Sequence, residues 1–175
     1  MINNFIIRPA EVKDNWQIQY LFLSWDASEG KTKIIAVIII IVSLIFAVNN
    51  LGLFVLINII LLIYNFTVKR FSNYWVIDNK GSIIGCAELR NYQTHSVLVN
   101  LIVKRKYRGK KIGSALVEYL IYQAKKPFYL SCFYNLIRFY ERFGFIVTEP
   151  QSLSLKLQAE LSLNQGLAVV ALVLL

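Results

Sequence analysis

The stretch LIVKRKYRGKKIGSAL, residues 101–116, places a strand end, a basic loop and a helix start in immediate succession. The β-branched apolar run Val97–Val103 has the length and composition of a buried strand. The following loop, 104–111, holds six cationic side chains and Gly109. From Ile112 onward, apolar residues recur at the spacing of one helix face. The stretch therefore predicts a strand, a cationic loop containing glycine, and a helix.

This order of elements suits a phosphorylated ligand. The first N–H groups of a helix lack intrahelical partners, and the helix dipole places partial positive charge there. Gly109 and Gly113 have no Cβ, so the backbone can turn tightly and an anion can approach it. The chain contains neither GxxxxGK[ST] nor GxGxxG, which excludes a P-loop and a Rossmann fingerprint. On these residues alone, an ordinary basic surface turn is the alternative.

A second stretch, FYLSCFYNLIRFYERFGF at 128–145, predicts another strand followed by a short helix and a glycine. Together the two stretches resemble the GNAT superfamily of acyl-CoA-dependent N-acyltransferases. That family carries R/Q-x-x-G-x-G/A after its fourth strand, and an asparagine, a tyrosine and a Gly-Phe pair after its fifth. The residues that carry the resemblance are Arg108, Gly113, Asn135, Tyr140, Gly144 and Phe145. Lys111 departs from it, because the family usually has glycine there.

The resemblance covers residues 3–26 and 71–150 and implies an α/β (α+β) fold with a mixed central sheet flanked by helices. It also implies direct acetyl transfer from acetyl-CoA, as co-substrate, to a primary amine. Backbone groups of Ile102 and Val103 would hold the pantetheine arm. Asn135 and Tyr140 would also contact CoA. The pyrophosphate would lie on Arg108, Gly109, Lys110, Lys111, Ile112, Gly113 and Ser114.

The resemblance implies that Tyr140 is the general acid that protonates the departing thiolate; a packed aromatic residue is the alternative. For Asn135 the alternative is a helix N-cap. Glu88, a carboxylate of the central hairpin, is the candidate general base, although an exposed strand glutamate fits equally well. His95, the sole histidine, is expected to be solvated in a turn, and nucleophilic catalysis by Cys132 lacks a histidine partner.

Composition narrows the partners. The formal net charge is +9, yet only 17% of residues are charged and 57% are hydrophobic, which predicts that part of the chain lies out of water. CoA, with its pyrophosphate and 3′-phosphate, accounts for the basic loop, and no nucleic-acid-binding module is visible. The two cysteines have no metal-ligand spacing and are expected to be buried thiols in a reducing compartment. A signal peptide is not expected at the N-terminus.

The block Ile34–Phe66 contains no charged residue. A single helix of this length, roughly 50 Å, would exceed a bilayer core of about 30 Å. Asn49, Asn50 and Gly52 indicate a turn, so the block predicts two helices, about 34–48 and 52–67, as a membrane hairpin inserted at 33–67. The remaining segments, 1–32 and 68–175, would form one acyltransferase domain.

Both flanks of the block are positive, which predicts that the catalytic domain lies on the cytoplasmic side, with the lipid bilayer as partner of residues 34–66. A pair of core helices and a re-entrant hairpin are the alternatives. A rival of another class is a catalytically degenerate GNAT fold that serves as a CoA-binding or membrane interaction module.

Elsewhere, Phe5–Arg8 predicts a strand ended by Pro9, and Asp14 with Gln17 predicts a capping box at the first helix. Strands are predicted at 71–78, 83–90, 96–103 and 128–132, with a hairpin turn at 79–82, and helices at 111–125 and 153–163. Residues 167–175 predict a final strand, with a membrane-dipping tail as the alternative.

Overall fold

The computed structural model describes residues 5–26, 52, 55, 59, 71–163 and 168–175. The chain forms two compact units, one made of Met1–Ala10 with Asn73–Leu175 and the other of Glu11–Ser72. The predicted boundaries at 33 and 67 differ from these, because the first helix groups with the second unit. The division into an acyltransferase domain and a membrane hairpin stays a prediction.

The first unit is built on one seven-stranded mixed sheet in the order β1-β2-β3-β4-β5-β7-β6. All neighbouring strands are antiparallel except β4 and β5, which are parallel. The strands are β1 (Ile6–Pro9), β2 (Tyr74–Asn79), β3 (Ser82–Asn91), β4 (Ser96–Val103), β5 (Phe128–Phe133), β6 (Ile146–Thr148) and β7 (Val169–Leu174).

Local sequence explains the hairpin between β2 and β3. Lys80 and Gly81 both have positive φ, 53° and 84°, as a two-residue turn that matches strand twist requires. The Asp78 carboxylate also accepts the Gly81 N–H at 2.7 Å. The predicted turn at 79–82 is therefore confirmed, although β2 begins at Tyr74 rather than at 71.

Helices cover the sheet on both faces. Helix α2 (Ile112–Gln123) and the short α3 (Ile137–Glu141) contribute to the larger core with Ala87, Leu89 and Leu98. Helix α4 (Leu155–Glu160) contributes to a second cluster through Leu157, next to Val97 and Ala171. Because neighbouring residues on a strand point to opposite faces, these two clusters lie on opposite sides of the sheet.

One detail of the N-terminal region differs from the prediction. Pro9 is the last residue of β1 rather than its terminator, and β1 is an edge strand, where a missing N–H is tolerated. Asp14 lies directly before the first helix, where the capping box with Gln17 was predicted, and that capping box stays a prediction. Asp14 ends a 3-10 turn, Val12–Asp14, and its carboxylate accepts the Glu11 N–H at 2.8 Å. Helix α1 then spans Asn15–Asp26.

The C-terminal run forms a strand, as predicted, and β7 lies between β5 and β6 rather than at an edge. The alternative of a membrane-dipping tail is thereby excluded for Val169–Leu174. The predicted helix at 153–163 is shorter, since a 3-10 turn, Pro150–Ser152, precedes α4.

The predicted membrane hairpin falls almost entirely outside the described residues. Within it, Gly52, Val55 and Ile59 are helical. Among the helices that the structure describes, none combines the length and the hydropathy needed to cross a bilayer.

Candidate functional site

The sheet opens between β4 and β5. The two strands pair over three positions, Ser96–Leu98 with Phe128–Leu130, although β4 continues to Val103 and β5 to Phe133. Residues 99–103 of β4 and 131–133 of β5 therefore border a gap, called the split below. Strand edges that do not pair leave backbone N–H and C=O groups available to a ligand.

The direction of each backbone group in the split follows from one hydrogen bond. The Lys104 N–H donates to the Ile84 carbonyl of β3 at 2.9 Å. Because these groups alternate in direction along a strand, Ile102 also faces β3, while Leu101 and Val103 face the split. Of the two backbone positions predicted to hold the pantetheine arm, Val103 is thus directed toward the split and Ile102 is not.

A β-bulge lies where the split begins. Cys86 pairs with Ile102, but Glu88 pairs with Val99, so β4 has one residue more than β3 across this interval. Asn100 is the residue with left-handed backbone, at φ 56°. The bulge was not predicted from the sequence, although asparagine tolerates this conformation better than most residues.

The basic loop, Lys104–Lys111, connects the end of β4 to α2 through a 3-10 turn at Arg105–Tyr107. The Arg108 Nε donates to the Val103 carbonyl at 3.0 Å, which ties the loop to the strand end. Gly109 has φ 73°, and a Cβ placed on it would meet nothing within 4 Å. The loop therefore turns at Gly109 with open space around the backbone.

Helix α2 begins with unsatisfied donors. The Ala115 N–H is bonded to the Lys111 carbonyl at 3.0 Å, whereas those of Ile112, Gly113 and Ser114 precede the first intrahelical bond. Among the described residues, none of these three N–H groups has an acceptor. The helix dipole adds partial positive charge at the same place.

The second motif packs on this helix start. A Cβ on Gly113 would lie 3.6 Å from Val103 Cγ2 and 3.8 Å from the Phe139 ring. Arg142, which the sequence analysis did not select, brings its Nη2 within 3.4 Å of Ser114 Oγ and stacks over Phe139 at 5.0 Å. The two motifs are therefore neighbours in space, with Arg142 as an additional cation.

The loop cations are crowded. Burial, and secondarily Lys106, lowers the pKa of Lys104. The ammonium groups of Lys106 and Lys110 lie 5.1 and 5.6 Å from the centre of the Tyr107 ring. A polyanionic ligand would reduce the electrostatic repulsion among these cationic side chains.

Tyr140 lies on the α2 side of the sheet. Its ring is 5% exposed and packs edge-on against Phe139 and Phe145. Burial, and then the nearby Cys132, raises its pKa above the ordinary value. The phenol therefore stays protonated, which is the form that a general acid needs. The ring is also packed in the core, as the alternative interpretation predicted, and this packing does not exclude a role as an acid.

Asn135 is exposed, within the 3-10 turn Tyr134–Leu136 rather than at a helix N-cap. This excludes the cap alternative. The family motif N-x-x-A-x-x-x-Y separates its asparagine from its tyrosine by seven positions, which counts back from Tyr140 to Phe133. Asn135 lies only five residues before Tyr140, so it does not occupy the asparagine position of that motif, and its contact with CoA stays a prediction.

Glu88 lies on the opposite face of the sheet and is nearly buried, at 8% exposure. Both its oxygens are engaged by Arg90, through Nε at 2.6 Å and Nη2 at 3.1 Å. The Arg90 Nη1 also donates to Glu160 at 3.2 Å. The expectation of an exposed strand glutamate is therefore wrong, because Glu88 belongs to a paired network.

His95 and Cys132 are poor catalytic groups. His95 precedes β4, at the end of the strand away from the basic loop, and stacks on Tyr92 at 4.8 Å. Burial raises the pKa of Cys132 to about 11, which disfavours its thiolate. Among the described residues no group of histidine, cysteine and carboxylate side chains is arranged to hold a metal ion.

Comparison with known proteins agrees with this geometry. The sequence model described as acetyltransferase (GNAT) domain matches residues 70–147. Comparison with curated protein sequences gives no significant match.

Several solved structures share the fold. N-acetylglutamate synthase from Neisseria gonorrhoeae, in complex with coenzyme A and N-acetylglutamate, aligns over 97% of this chain with a TM-score of 0.65 at 14% identity. The chain spans about a third of that enzyme, 34% of its length. A GNAT-family acetyltransferase from Staphylococcus aureus Mu50 aligns over 97% of this chain and 98% of its own, with a TM-score of 0.58 at 17% identity.

A Mycobacterium tuberculosis protein in complex with CoA has nearly the same coverage, 97% and 99%, with a TM-score of 0.57 at 17% identity. These likenesses show the GNAT fold. The match of residues 70–147 to an acetyltransferase (GNAT) domain is the finding that bears on activity.

Proposed function

We propose that this protein transfers an acetyl group from acetyl-CoA to a primary amine, with the phosphates of CoA bound at the start of α2. The observation that carries the proposal is the basic loop at the end of the split. There, six cationic side chains and three unsatisfied helix N–H groups converge within a matched GNAT domain. An ordinary surface turn is not expected to combine a cluster of cationic side chains with unsatisfied helix N–H groups.

The co-substrate would lie along β4. Backbone groups of Leu101 and Val103 face the split and can pair with the amides of the pantetheine arm, as an added strand would. The pyrophosphate would then reach the N–H groups from Gly109 to Ser114 and the ammonium groups of Lys110 and Lys111. Arg108 would hold the loop on Val103 as well as face the phosphates.

The transfer step needs two proton movements. The amine nitrogen attacks the thioester carbonyl carbon, an N–C bond forms and the C–S bond breaks. The nitrogen gives one proton to a base, and the CoA thiolate takes one from the Tyr140 hydroxyl, which is later reprotonated by solvent. Tyr140 suits this role because burial keeps its phenol protonated.

Glu88 remains the proposed base. It lies across the sheet from Tyr140, and a thioester in the split could be reached from both faces. Both of its carboxylate oxygens are already hydrogen-bonded by Arg90. Proton transfer would therefore run through a water or require a shift of the Arg90 side chain.

Titration calorimetry with acetyl-CoA tests the phosphate site. Lys110→Glu reverses one exposed charge on the basic loop, and we expect acetyl-CoA affinity to fall at least about tenfold, given what charge reversal costs near a bound anion. Lys125→Glu is the matched control, because it changes the net charge equally beyond the other end of α2 and should leave affinity within about twofold. Equal losses in both variants, or no binding by the wild-type protein, would refute the assignment.

Activity is measured as CoA thiol release with acetyl-CoA and a panel of primary amines, comprising n-hexylamine, spermidine and a lysine-containing peptide. Tight acetyl-CoA binding without turnover of any amine would favour the degenerate CoA-binding module. This alternative is supported by the Glu88 carboxylate, whose oxygens are already hydrogen-bonded by Arg90.

The uncharged block at 34–66 supports a second part of the proposal, a membrane hairpin with the catalytic domain on the cytoplasmic side. Helix α1, in the same unit, leaves Trp16, Tyr20 and Leu23 exposed. These positions share one side of a helix, and Trp and Tyr favour the membrane–water interface. A membrane-bound amine would then be the natural acceptor.

Replacing 34–66 with a short Gly-Ser linker tests this part separately. We expect the variant to leave the membrane fraction of expressing cells, to bind acetyl-CoA as before, and to lose activity on membrane-bound amines. Retention in the membrane fraction would contradict the hairpin. Unchanged activity on every acceptor would remove the reason to place the acceptor at the bilayer.

A further inference from the structure

We propose that Asn100 is the positioning residue for the acceptor amine, whose N–H its side-chain carbonyl accepts at the opening of the split. The inference rests on the proposed acetyl transfer and adds to it a specific place for the acceptor. It concerns three residues, Tyr74, Glu88 and Asn100, called the acceptor cluster.

The acceptor cluster is held together by the Asn100 amide. Its Nδ2 donates to the Tyr74 hydroxyl at 3.0 Å and approaches Glu88 Oε2 at 3.4 Å. The opposite orientation of the amide would set its carbonyl oxygen against the Glu88 carboxylate, which has no proton to donate when ionised. The nitrogen of the amide is therefore turned inward and its oxygen outward.

The outward oxygen is accessible. Asn100 is exposed, whereas Tyr74 and Glu88 are each 8% exposed. Among the described residues, Asn100 Oδ1 has no donor. Two buried groups thus orient one exposed hydrogen-bond acceptor. Such an oriented acceptor can bind a donor such as an amine.

The position of Asn100 links it to the reaction. It is the left-handed residue of the β4 bulge, two positions beyond the last β4–β5 pair at Leu98. A thioester lying along Leu101 and Val103 would be adjacent to it in the chain. The bulge and the oriented amide therefore place the contact between Asn100 Oδ1 and the acceptor amine at the edge of the split.

The local charge favours a cationic acceptor. Glu88 and Glu160 share a single guanidinium, that of Arg90, so this network carries one net negative charge within a chain of formal charge +9. An ammonium ion is attracted to such a place before it loses its proton. Neutral alcohols have no comparable attraction, which selects amines over hydroxyl acceptors.

Asn100→Gly is the informative variant, because glycine adopts the same left-handed backbone and only the amide is lost. With n-hexylamine as acceptor, we expect KM for the amine to rise at least tenfold. Acetyl-CoA affinity by calorimetry should stay within twofold, and the urea midpoint should not fall. Tyr74→Phe, which removes one orienting partner, should raise that KM by a smaller factor.

An unchanged amine KM in Asn100→Gly would overturn the proposal, as would equal losses of amine and acetyl-CoA affinity. If wild-type protein binds acetyl-CoA but does not turn over n-hexylamine, the amine site is refuted while the phosphate site stands. Loss of acetyl-CoA binding itself would instead refute the proposed function.

Discussion

At the scale of single residues, Tyr140 combines two properties that usually conflict. Its ring is part of the hydrophobic core, between Phe139 and Phe145, and its hydroxyl is the proposed proton donor. Burial penalises the phenolate, so the pKa rises and the group stays protonated. A residue that supports the core can therefore also serve as an acid.

Tyr140→Phe should lower kcat by roughly 10²–10³-fold, the usual contribution of a positioned general acid, with little change in acetyl-CoA affinity. Because the pKa is raised, wild-type kcat should show no alkaline decline from this group below about pH 10, its ordinary value. CoA release measured between pH 6 and 10 checks both expectations.

Tyr122→Phe is the control for this substitution, since Tyr122 is on the exposed surface of α2. An alkaline limb with a midpoint near pH 8 that disappears in Tyr140→Phe would contradict the raised pKa. Equal kcat values for Tyr140→Phe and wild type would exclude Tyr140 as the acid.

At the scale of elements, the start of α2 explains the departure from the family motif. Lys111 is the helix N-cap and has left-handed backbone, φ 60°. Glycine takes this conformation without strain, whereas other L-residues pay roughly 1–2 kcal/mol. The position therefore requires left-handed backbone whether it holds the family's glycine or this chain's lysine. The lysine adds a positive charge at some cost in stability.

Lys111→Gly and Lys111→Ala both remove the ammonium group and differ mainly in backbone strain. We expect Lys111→Gly to exceed Lys111→Ala in free energy of unfolding by up to about 1 kcal/mol, after the greater flexibility of unfolded glycine is allowed for. Urea unfolding measures the difference. Both variants should bind acetyl-CoA more weakly than wild type.

If Lys111→Ala were as stable as Lys111→Gly, the left-handed start of α2 would carry no strain. If neither variant lost acetyl-CoA affinity, the ammonium of Lys111 would not contact the phosphates. The two measurements are independent, so each can fail alone.

Sequence patterns predicted most of these elements, because hairpins, helix starts and turns depend on neighbouring residues such as Lys80 and Gly81. The basic loop and Tyr140 were also selected from sequence. Asn100 and Arg142 were missed, since their contacts to Tyr74 and Ser114 span 26 and 28 positions. Such contacts follow from strand register and helix packing, which no local pattern contains.

Pro9 shows the limit of sequence-based prediction at element boundaries. Whether a proline ends a strand depends on which strand forms the sheet edge, and that is a property of the whole fold.

At the scale of the whole molecule, two buried thiols link stability to pH. Burial raises the pKa of Cys86 to about 12 and that of Cys132 to about 11, from an ordinary value of 9.0. The unfolded chain therefore releases these protons at lower pH than the folded one. Their contribution to stability is complete below about pH 9 and is lost as pH rises from there toward the folded values.

We expect the free energy of unfolding to fall between pH 9 and 10 with a slope approaching about 1.4 kcal/mol per pH unit for each thiol. Lys104, whose pKa is lowered, acts in the opposite direction, so variants are needed to isolate the thiols. Urea unfolding of wild type and Cys86→Ala at pH 7, 9 and 10 provides the comparison.

Cys86→Ala should be less stable at pH 7, because a buried side chain is shortened, and should lose less stability on going to pH 10. Parallel declines in the two proteins would show that Cys86 titrates normally when folded. A thiol reagent should likewise label the native protein slowly until it unfolds, because both cysteines are buried.

The bond from the Ala10 N–H to the Tyr74 carbonyl, at 2.8 Å, joins the points where the chain leaves the sheet and returns to it. The two ends of the segment from Glu11 to Ser72 are therefore attached to the sheet at neighbouring points. Lengthening such a segment costs only a logarithmic loss of entropy, about 0.6 kcal/mol per doubling. The segment can thus vary in length at little entropic cost to the sheet.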